Sequence, residues 1–159
     1  MVKLSAGLLL HRGPDDATEV LLVHPGGPFW AKKDEGAWSI PKGEYALDDD
    51  PHETALREFA EELGAPPPPD ERGDDDVDLG FVRLSSGKRI RAFARRADLD
   101  ASACTSNEFE VEWPPRSGRL QSFPEVDRAE WFPLAEARRK LHPVQAELLD
   151  RLAAQRDLR

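Results

Sequence analysis

Residues 43–65 read GEYALDDDPHETALREFAEELGA, and this stretch decides the fold. Asp50 is a good helix N-cap, and proline is favoured at the next position, the first of a helix, where Pro51 stands. Gly64 is a natural C-terminal stop, because glycine adopts the left-handed conformation that ends many helices. The local signals therefore predict a helix over residues 51–63.

The two faces of this helix differ in chemistry. At about 100° per residue, Phe59 and Leu63 fall on an apolar face, while Glu58, Glu61 and Glu62 cluster on the other. Like charges at these spacings repel by a few tenths of a kcal/mol per pair, roughly. The cluster is either a solvated acidic face or a site for a hard divalent cation, which prefers carboxylate oxygens.

Apolar and β-compatible runs surround the helix on both sides. Strands are expected before it and after it, the later pair joined as a hairpin, and two helices are expected at the end of the chain. Residues 66–76 are rich in proline and acids and predict a mobile loop, and 70–78 read as solvated. The pattern predicts one mixed α/β domain over residues 1–159. The expected strands are 2–11, 19–24, 77–84, 89–95 and 130–132, and the expected C-terminal helices are 134–141 and 143–156.

Composition excludes several classes of protein. The 159 residues contain one cysteine, which excludes an intramolecular disulfide and a Cys-based zinc site and favours the cytoplasm. No apolar run is long enough to cross a membrane. The net charge of −9 argues against binding bulk nucleic acid. Residues 44–78 hold 14 of the 31 acids and two bases, so this segment carries −12 and the rest +3.

The spacing within residues 43–65 resembles the signature of the Nudix hydrolases. That signature is a glycine, five residues, a glutamate, seven residues, and then Arg-Glu-apolar-any-Glu-Glu-any-Gly-apolar. One position departs, because Asp49 stands where the family usually has glutamate; we interpret it as a support for Arg57. The matching residues are Gly43, Arg57, Glu58, Phe59, Glu61, Glu62, Gly64 and Ala65.

The resemblance implies an α/β/α sandwich with a central mixed sheet, as in small MutT-like nucleoside triphosphate pyrophosphohydrolases. It also implies hydrolysis of a pyrophosphate bond in a nucleoside diphosphate linked to a further group, with Mg²⁺ or Mn²⁺. By position, Glu61 and Glu62 are expected metal ligands, and Glu58 a ligand or an activator of water. Arg57 is expected to orient the carboxylates, and the Gly43 carbonyl to complete the site.

Candidates outside the signature come from the loops. Glu125 is expected to be a further ligand or base, the other interpretation being a surface charge; Glu108, Glu110 and Glu112 are alternatives. Lys42 is placed to meet a phosphate or is simply solvated. A Pro-rich segment joins an aromatic side chain to guanidinium groups, which suit a base and its phosphates. The expected substrate-binding residues are therefore Lys42, Trp113, Arg116 and Arg119.

Two functions from different classes remain open at this point. One is a metal-dependent enzyme acting on a nucleoside triphosphate or a dinucleoside polyphosphate. The other is a catalytically silent nucleotide-binding or regulatory module of the same fold. The presence of Arg57 and all three glutamates favours the enzyme. The leaving group, the number of metals and the choice between monomer and homodimer are not decided by the sequence.

Overall fold

A central six-stranded sheet organises residues 2–157, the part of the chain that the computed structural model describes. A separate two-stranded ribbon and three helices complete it. The sheet contains β1 (Leu4–Arg12), β2 (Glu19–Pro25), β3 (Lys42–Tyr45), β4 (Val77–Arg83), β5 (Arg89–Arg96) and β8 (Val126–Pro133). The ribbon is β6 (Glu108–Glu112) with β7 (Leu120–Pro124), and the helices are α1 (Pro51–Leu63), α2 (Leu134–Lys140) and α3 (Glu147–Asp157).

The sheet is mixed, as predicted. Its order is β4-β5-β1-β2-β8, with β1 and β5 parallel and the other pairs antiparallel. β1 pairs with β2 at His11 and Arg12, and its first half pairs instead with β3. β1 and β2 therefore diverge, and residues 39–45 enter the gap, where Ser39 bridges to Val23. The candidate site lies beside this divergence.

Two cores sandwich the sheet between helices. Successive side chains of a strand point to opposite faces, so Leu8 and Leu10 join Phe59 of α1 in one core. Leu9 points to the other face and packs in the core that contains Leu148 of α3. The predicted α/β/α sandwich is confirmed. Among residues 2–157, no helix has the length and apolar character that crossing a bilayer requires.

Helix α1 begins and ends where its local signals predict. The Asp50 side chain accepts a hydrogen bond from the amide of His52 at 2.9 Å. Gly64 has a φ of 83°, and its amide donates to the carbonyl of Ala60. A side chain there would also lie 2.4 Å from the Thr105 carbonyl oxygen. The cap thus fixes both the helix end and the approach of a distant loop.

Several segments differ from expectation: β3 was not among the expected strands, and β8 begins at Val126 rather than at residue 130. The β6–β7 ribbon was not predicted; it falls in a region whose alternating acids and prolines gave no clear assignment. The last helix begins as a 3₁₀ turn over Pro143–Ala146 before α3. The solvated interpretation of residues 70–78 is wrong for Asp76, whose side chain is 3% exposed. Hydrogen bonds also define the preceding loop, where Asp70 accepts from two amides of its own turn.

Candidate active site

Glu58 lies directly against the backbone of β3. A Cβ atom on Gly43 would stand 2.0 Å from Cδ of Glu58 and 2.3 Å from one of its carboxylate oxygens. A side chain at this position would displace the side chain of Glu58. The glycine that opens the sequence signature therefore makes room for the first glutamate of α1.

Glu62 is held by the same strand, one residue earlier. Its Oε1 accepts a hydrogen bond from the amide of Lys42 at 3.2 Å. Burial raises the pKa of Glu62 to about 8, although the hydrogen bond and the charge of Lys42 oppose the shift, and the neighbouring charges of Glu125 and Glu58 add to it. The site thus concentrates carboxylates whose ionised forms are poorly solvated.

Arg57 lies between Glu58 and Glu61 of the acidic cluster. Its guanidinium lies 3.6 Å from Glu58 and 3.9 Å from Glu61. Burial raises the pKa of Glu58, the charge of Glu61 raises it further, and Arg57 opposes both. Because Arg57 is more than half exposed, these contacts orient the carboxylates rather than stabilise the fold.

Glu125 lies near the carboxylates of α1, and its charge acts on Glu62 and Glu58. It stands between β7 and β8, where its amide donates to Asn107 and its carbonyl accepts from Gly26 at 2.9 Å. Glu125, Glu62 and Lys42 line one cavity of about 100 Å³. Glu108, Glu110 and Glu112 instead share the exposed face of β6, and Glu108 accepts from the hydroxyl of Ser122. Of the four candidate carboxylates, the structure brings Glu125 to the cluster.

Lys42 also lines this cavity and is partly buried. Burial lowers the pKa of its amine, Lys88 adds repulsion, and Glu62, Glu44 and Glu58 oppose the shift. The charges of Glu62 and Glu58 therefore act on the amine of Lys42, together with that of Lys88.

Comparison with known proteins agrees with this geometry. The family described as the NUDIX domain matches residues 1–152. The chain belongs to the Nudix family. Membership assigns it as a pyrophosphohydrolase and supports nucleotide pyrophosphate hydrolysis as its general activity. No curated protein sequence matches the chain significantly.

Solved structures share the Nudix fold at low sequence identity. An Ap4A hydrolase from C. elegans, solved as a binary complex, is 18% identical with a TM-score of 0.63, over 95% of this chain and 96% of that chain. The NUDIX domain of Shewanella oneidensis NrtR, complexed with ADP ribose, is 20% identical with a TM-score of 0.62, over 100% and 90%. The E. coli ORF135 protein is 23% identical with a TM-score of 0.54, over 99% and 94%.

The departure from the Nudix signature at Asp49 has a local explanation. Its side chain accepts a hydrogen bond from the amide of Ala46 at 3.0 Å and closes a turn before α1. The interpretation that Asp49 supports Arg57 is wrong, because Arg57 pairs with Glu58 and Glu61. The shorter carboxylate folds back on its own turn.

The donor set of the Nudix signature suits a hard divalent cation. Glu58 and Glu62 crowd against the β3 backbone, and burial together with neighbouring carboxylates raises the pKa of each. A cation would remove both penalties. Within residues 2–157 the side chains do not yet converge into a group of three that could hold an ion. The half-exposed side chain of Glu61 is turned toward Arg57 instead.

The other predicted substrate-binding residues lie apart from this cluster, at the tip of the β6–β7 ribbon. Trp113 follows β6, and Arg116 and Arg119 are exposed in the turn. The ring of Trp113 stacks edge-to-face on Phe29, with centroids 5.3 Å apart.

The sequence did not indicate how closely the loop after β2 approaches the end of β7. A Cβ on Gly26 would meet the carbonyl oxygen of Pro124 at 1.9 Å. The consecutive glycines at 26 and 27 were the available signal of such a close approach.

Proposed function

We propose that this chain hydrolyses a pyrophosphate bond of a nucleoside diphosphate derivative, with Mg²⁺ or Mn²⁺ held by the α1 carboxylates. The observation that carries the proposal is the placement of Glu58 and Glu62 against the backbone of β3, with Glu125 across the cavity. Buried carboxylates with raised pKa values are costly, and they cluster at functional sites more often than elsewhere.

Each residue has a distinct role in the proposed reaction. Glu58, Glu61, Glu62 and the Gly43 carbonyl are the proposed ligands. A bound divalent cation neutralises phosphate charge and lowers the pKa of a coordinated water. Arg57 is a positioning residue, because it contacts Glu58 and Glu61 and keeps their carboxylates on one face of α1.

Glu125 is proposed as the general base. Glu125 is exposed and lines the cavity together with Glu62, so its carboxylate is proposed to accept a proton from the attacking water. The water oxygen then forms a bond to one phosphorus while the bond from that phosphorus to the bridging oxygen breaks. The bridging oxygen leaves with the other phosphate. The amine of Lys42 is proposed to bind a non-bridging phosphate oxygen and stabilise the charge that develops there.

The proposed substrates are nucleoside triphosphates or dinucleoside polyphosphates. Support comes from the Ap4A hydrolase among similar structures. With one cysteine and no disulfide possible, we propose that the protein works in the reducing cytoplasm.

A nucleotide panel tests the proposal. The purified protein is incubated with nucleoside triphosphates, diadenosine tetraphosphate, ADP-ribose and nucleotide sugars, with Mg²⁺ or with EDTA, and the products are separated by ion-exchange chromatography. We expect Mg²⁺-dependent release of a nucleoside monophosphate or a shortened nucleotide. Binding of these nucleotides without turnover of any of them would support the silent module instead.

A further inference from the structure

Exposed aromatic side chains gather at the tip of the β6–β7 ribbon, away from the carboxylates of α1. The exposed fractions are 58% for Phe29 and 39% for Trp30, and Phe29 contacts Trp113 across the ribbon tip. Leu120, at the start of β7, is 68% exposed. Exposed aromatic rings that share a surface mark a binding site more often than a structural one. We refer to Phe29, Trp30 and Trp113 as the aromatic platform.

A fixed frame holds the loop that carries this platform. The buried ring of His24 lies with Nε2 2.6 Å from the carbonyl oxygen of Lys33 and Nδ1 2.8 Å from the carboxylate of Asp127. At the other end of the loop, Gly26 donates to the carbonyl of Glu125. The loop is therefore anchored both before and after its aromatic residues, and it shares one anchor with the proposed general base.

Cations surround the aromatic platform. Lys33 lies over the ring of Trp30, with its amine 4.9 Å from the centroid, and Lys32, Arg116 and Arg119 are exposed nearby. The acids that follow on the same loop are already engaged, since Asp34 pairs with Lys140 and Glu35 with Arg139.

Glu112 is the carboxylate beside Trp113, and it is outnumbered by the four cations. Aromatic rings with an excess of Lys and Arg suit a nucleobase followed by phosphates.

The ribbon sets the distance between the platform and the proposed site. Glu112 pairs with Leu120 at the tip, and Glu108 pairs with Pro124 beside Glu125. At about 3.3 Å per strand residue, Trp113 lies on the order of 16 Å along the ribbon from Glu125. A base on the platform is therefore joined to an anhydride beside Glu125 through a chain of several phosphates.

We infer that the aromatic platform, with Arg116 and Arg119, binds the second nucleoside and adjoining phosphates of a dinucleoside polyphosphate whose other end is cleaved at α1. The inference rests on the proposed function and narrows its substrate class. It makes Phe29 and Trp113 specificity-determining residues, because a mononucleotide has one base and cannot place a nucleoside both on the platform and at α1.

Binding without metal tests this inference separately from turnover. Dissociation constants for diadenosine tetraphosphate and for ATP are measured by isothermal titration calorimetry in EDTA, for the wild type, Phe29→Ala and Trp113→Leu. Stacking of one base contributes about 1–3 kcal/mol. In each variant the dissociation constant for the dinucleotide should therefore rise about tenfold, and that for ATP less than twofold.

Two further comparisons complete the test. Phe81→Ala, which removes another exposed ring, from β4 (39% exposed), should leave both constants unchanged. Arg116→Gln and Arg119→Gln should also weaken the binding of inorganic tripolyphosphate, whereas the aromatic variants should leave that binding unchanged. Circular dichroism confirms that each variant is folded.

Several results would overturn the inference. The first is that the aromatic variants bind ATP and the dinucleotide more weakly by the same factor. The second is that neither variant binds the dinucleotide more weakly than the wild type does. The third is that the wild type binds no dinucleotide. A wild type that binds as expected but shows no Mg²⁺-dependent turnover would instead refute the proposed function and leave the platform standing.

Discussion

Glu58 reaches the backbone of β3 because position 43 has no side chain. The contact is close enough that any Cβ atom would displace the carboxylate. The obstructing atoms belong to the end of a flexible side chain, which can rotate away at little cost. The glycine is therefore required by the site more than by the fold.

Gly43→Ala should separate the two requirements. Its free energy of unfolding should stay within about 1 kcal/mol of the wild type, because Glu58 moves aside without straining the backbone. Its kcat should fall by about 10²-fold, since a displacement of about 1 Å at a catalytic group is enough for that loss. Urea unfolding and steady-state kinetics measure the two quantities.

Gly26→Ala is the matched control for this prediction. Its new methyl group would meet the carbonyl oxygen of Pro124, which belongs to the backbone, so it should lose stability by about 1–3 kcal/mol. Wild-type turnover in Gly43→Ala would contradict the placement of Glu58 in the site.

The sequence predicted α1 to the residue because its signals are local. Asp50, Pro51 and Gly64 act within one turn of themselves, and spacing alone separates the apolar face from the acidic one. The partners of Asp49 and Asp76 were not predictable in the same way. For Asp49, a turn amide and a distant guanidinium compete to donate to the same carboxylate. Asp76 contacts Arg95 only after β4 and β5 pair.

The β6–β7 ribbon escaped prediction for a related reason. Its acids alternate with Phe109 and Val111, but its apolar face packs against a loop rather than the main core. The contact between Phe29 and Trp113 joins residues far apart in the sequence, and no local pattern indicates it.

Asp76 links helix α1 to the central sheet. Its carboxylate accepts two hydrogen bonds from Arg95, at 2.7 and 2.8 Å, and lies 2.7 Å from Nε2 of His52. Burial alone would raise the pKa of Asp76, but the hydrogen bonds from Arg95 and His52 lower it below its usual value of 3.8.

A depressed pKa makes this contact sensitive to acid. Its stabilisation is fully present above the unfolded-state value of 3.8 and is lost as pH falls through the lower folded-state pKa. Asp76→Asn should therefore be less stable than the wild type by about 2 kcal/mol at pH 7. The difference should narrow as pH falls below 3.8.

Urea unfolding measured between pH 7 and pH 2.5 checks this prediction. Asp75→Asn, at an exposed neighbouring position, should track the wild type throughout. A constant difference between Asp76→Asn and the wild type over the whole pH range would refute the assignment of the acid sensitivity to this contact.

The acidic residues of the molecule are concentrated in one segment, and its two parts have different roles. The −12 carried by residues 44–78 separates into two parts. The first surrounds the proposed cation site on α1. In the second, two of the acids pair with bases of β5, since Arg91 pairs with Asp78 and Arg95 with Asp76. The net −9 thus coexists with cations that are free to meet a nucleotide.

Binding of Mg²⁺ should stabilise the whole molecule. At a concentration of about 100 times its dissociation constant, a ligand of the folded state adds about 2.7 kcal/mol. For a chain of this size, that raises the midpoint of thermal unfolding by about 5–10 °C. Differential scanning fluorimetry with MgCl₂, against NaCl at equal ionic strength, measures the shift.

Glu62→Gln should lose this response and yet be more stable than the metal-free wild type near pH 8. Its amide keeps the acceptor for Lys42 but removes a buried charge whose pKa stands at about 8. A Mg²⁺ shift of wild-type size in this variant would contradict a ligand role for Glu62.

The most direct test of the central claim is kcat measured against Mg²⁺ concentration for Glu58→Gln, Glu62→Gln and a control on the same helix. Glu53→Gln supplies that control, because it removes an exposed acid from the first turn of α1. We expect Mg²⁺-dependent turnover in the wild type and in Glu53→Gln, and a loss of at least about 10²-fold in the other two variants, all four being folded. Near-wild-type turnover in both Glu58→Gln and Glu62→Gln would contradict it.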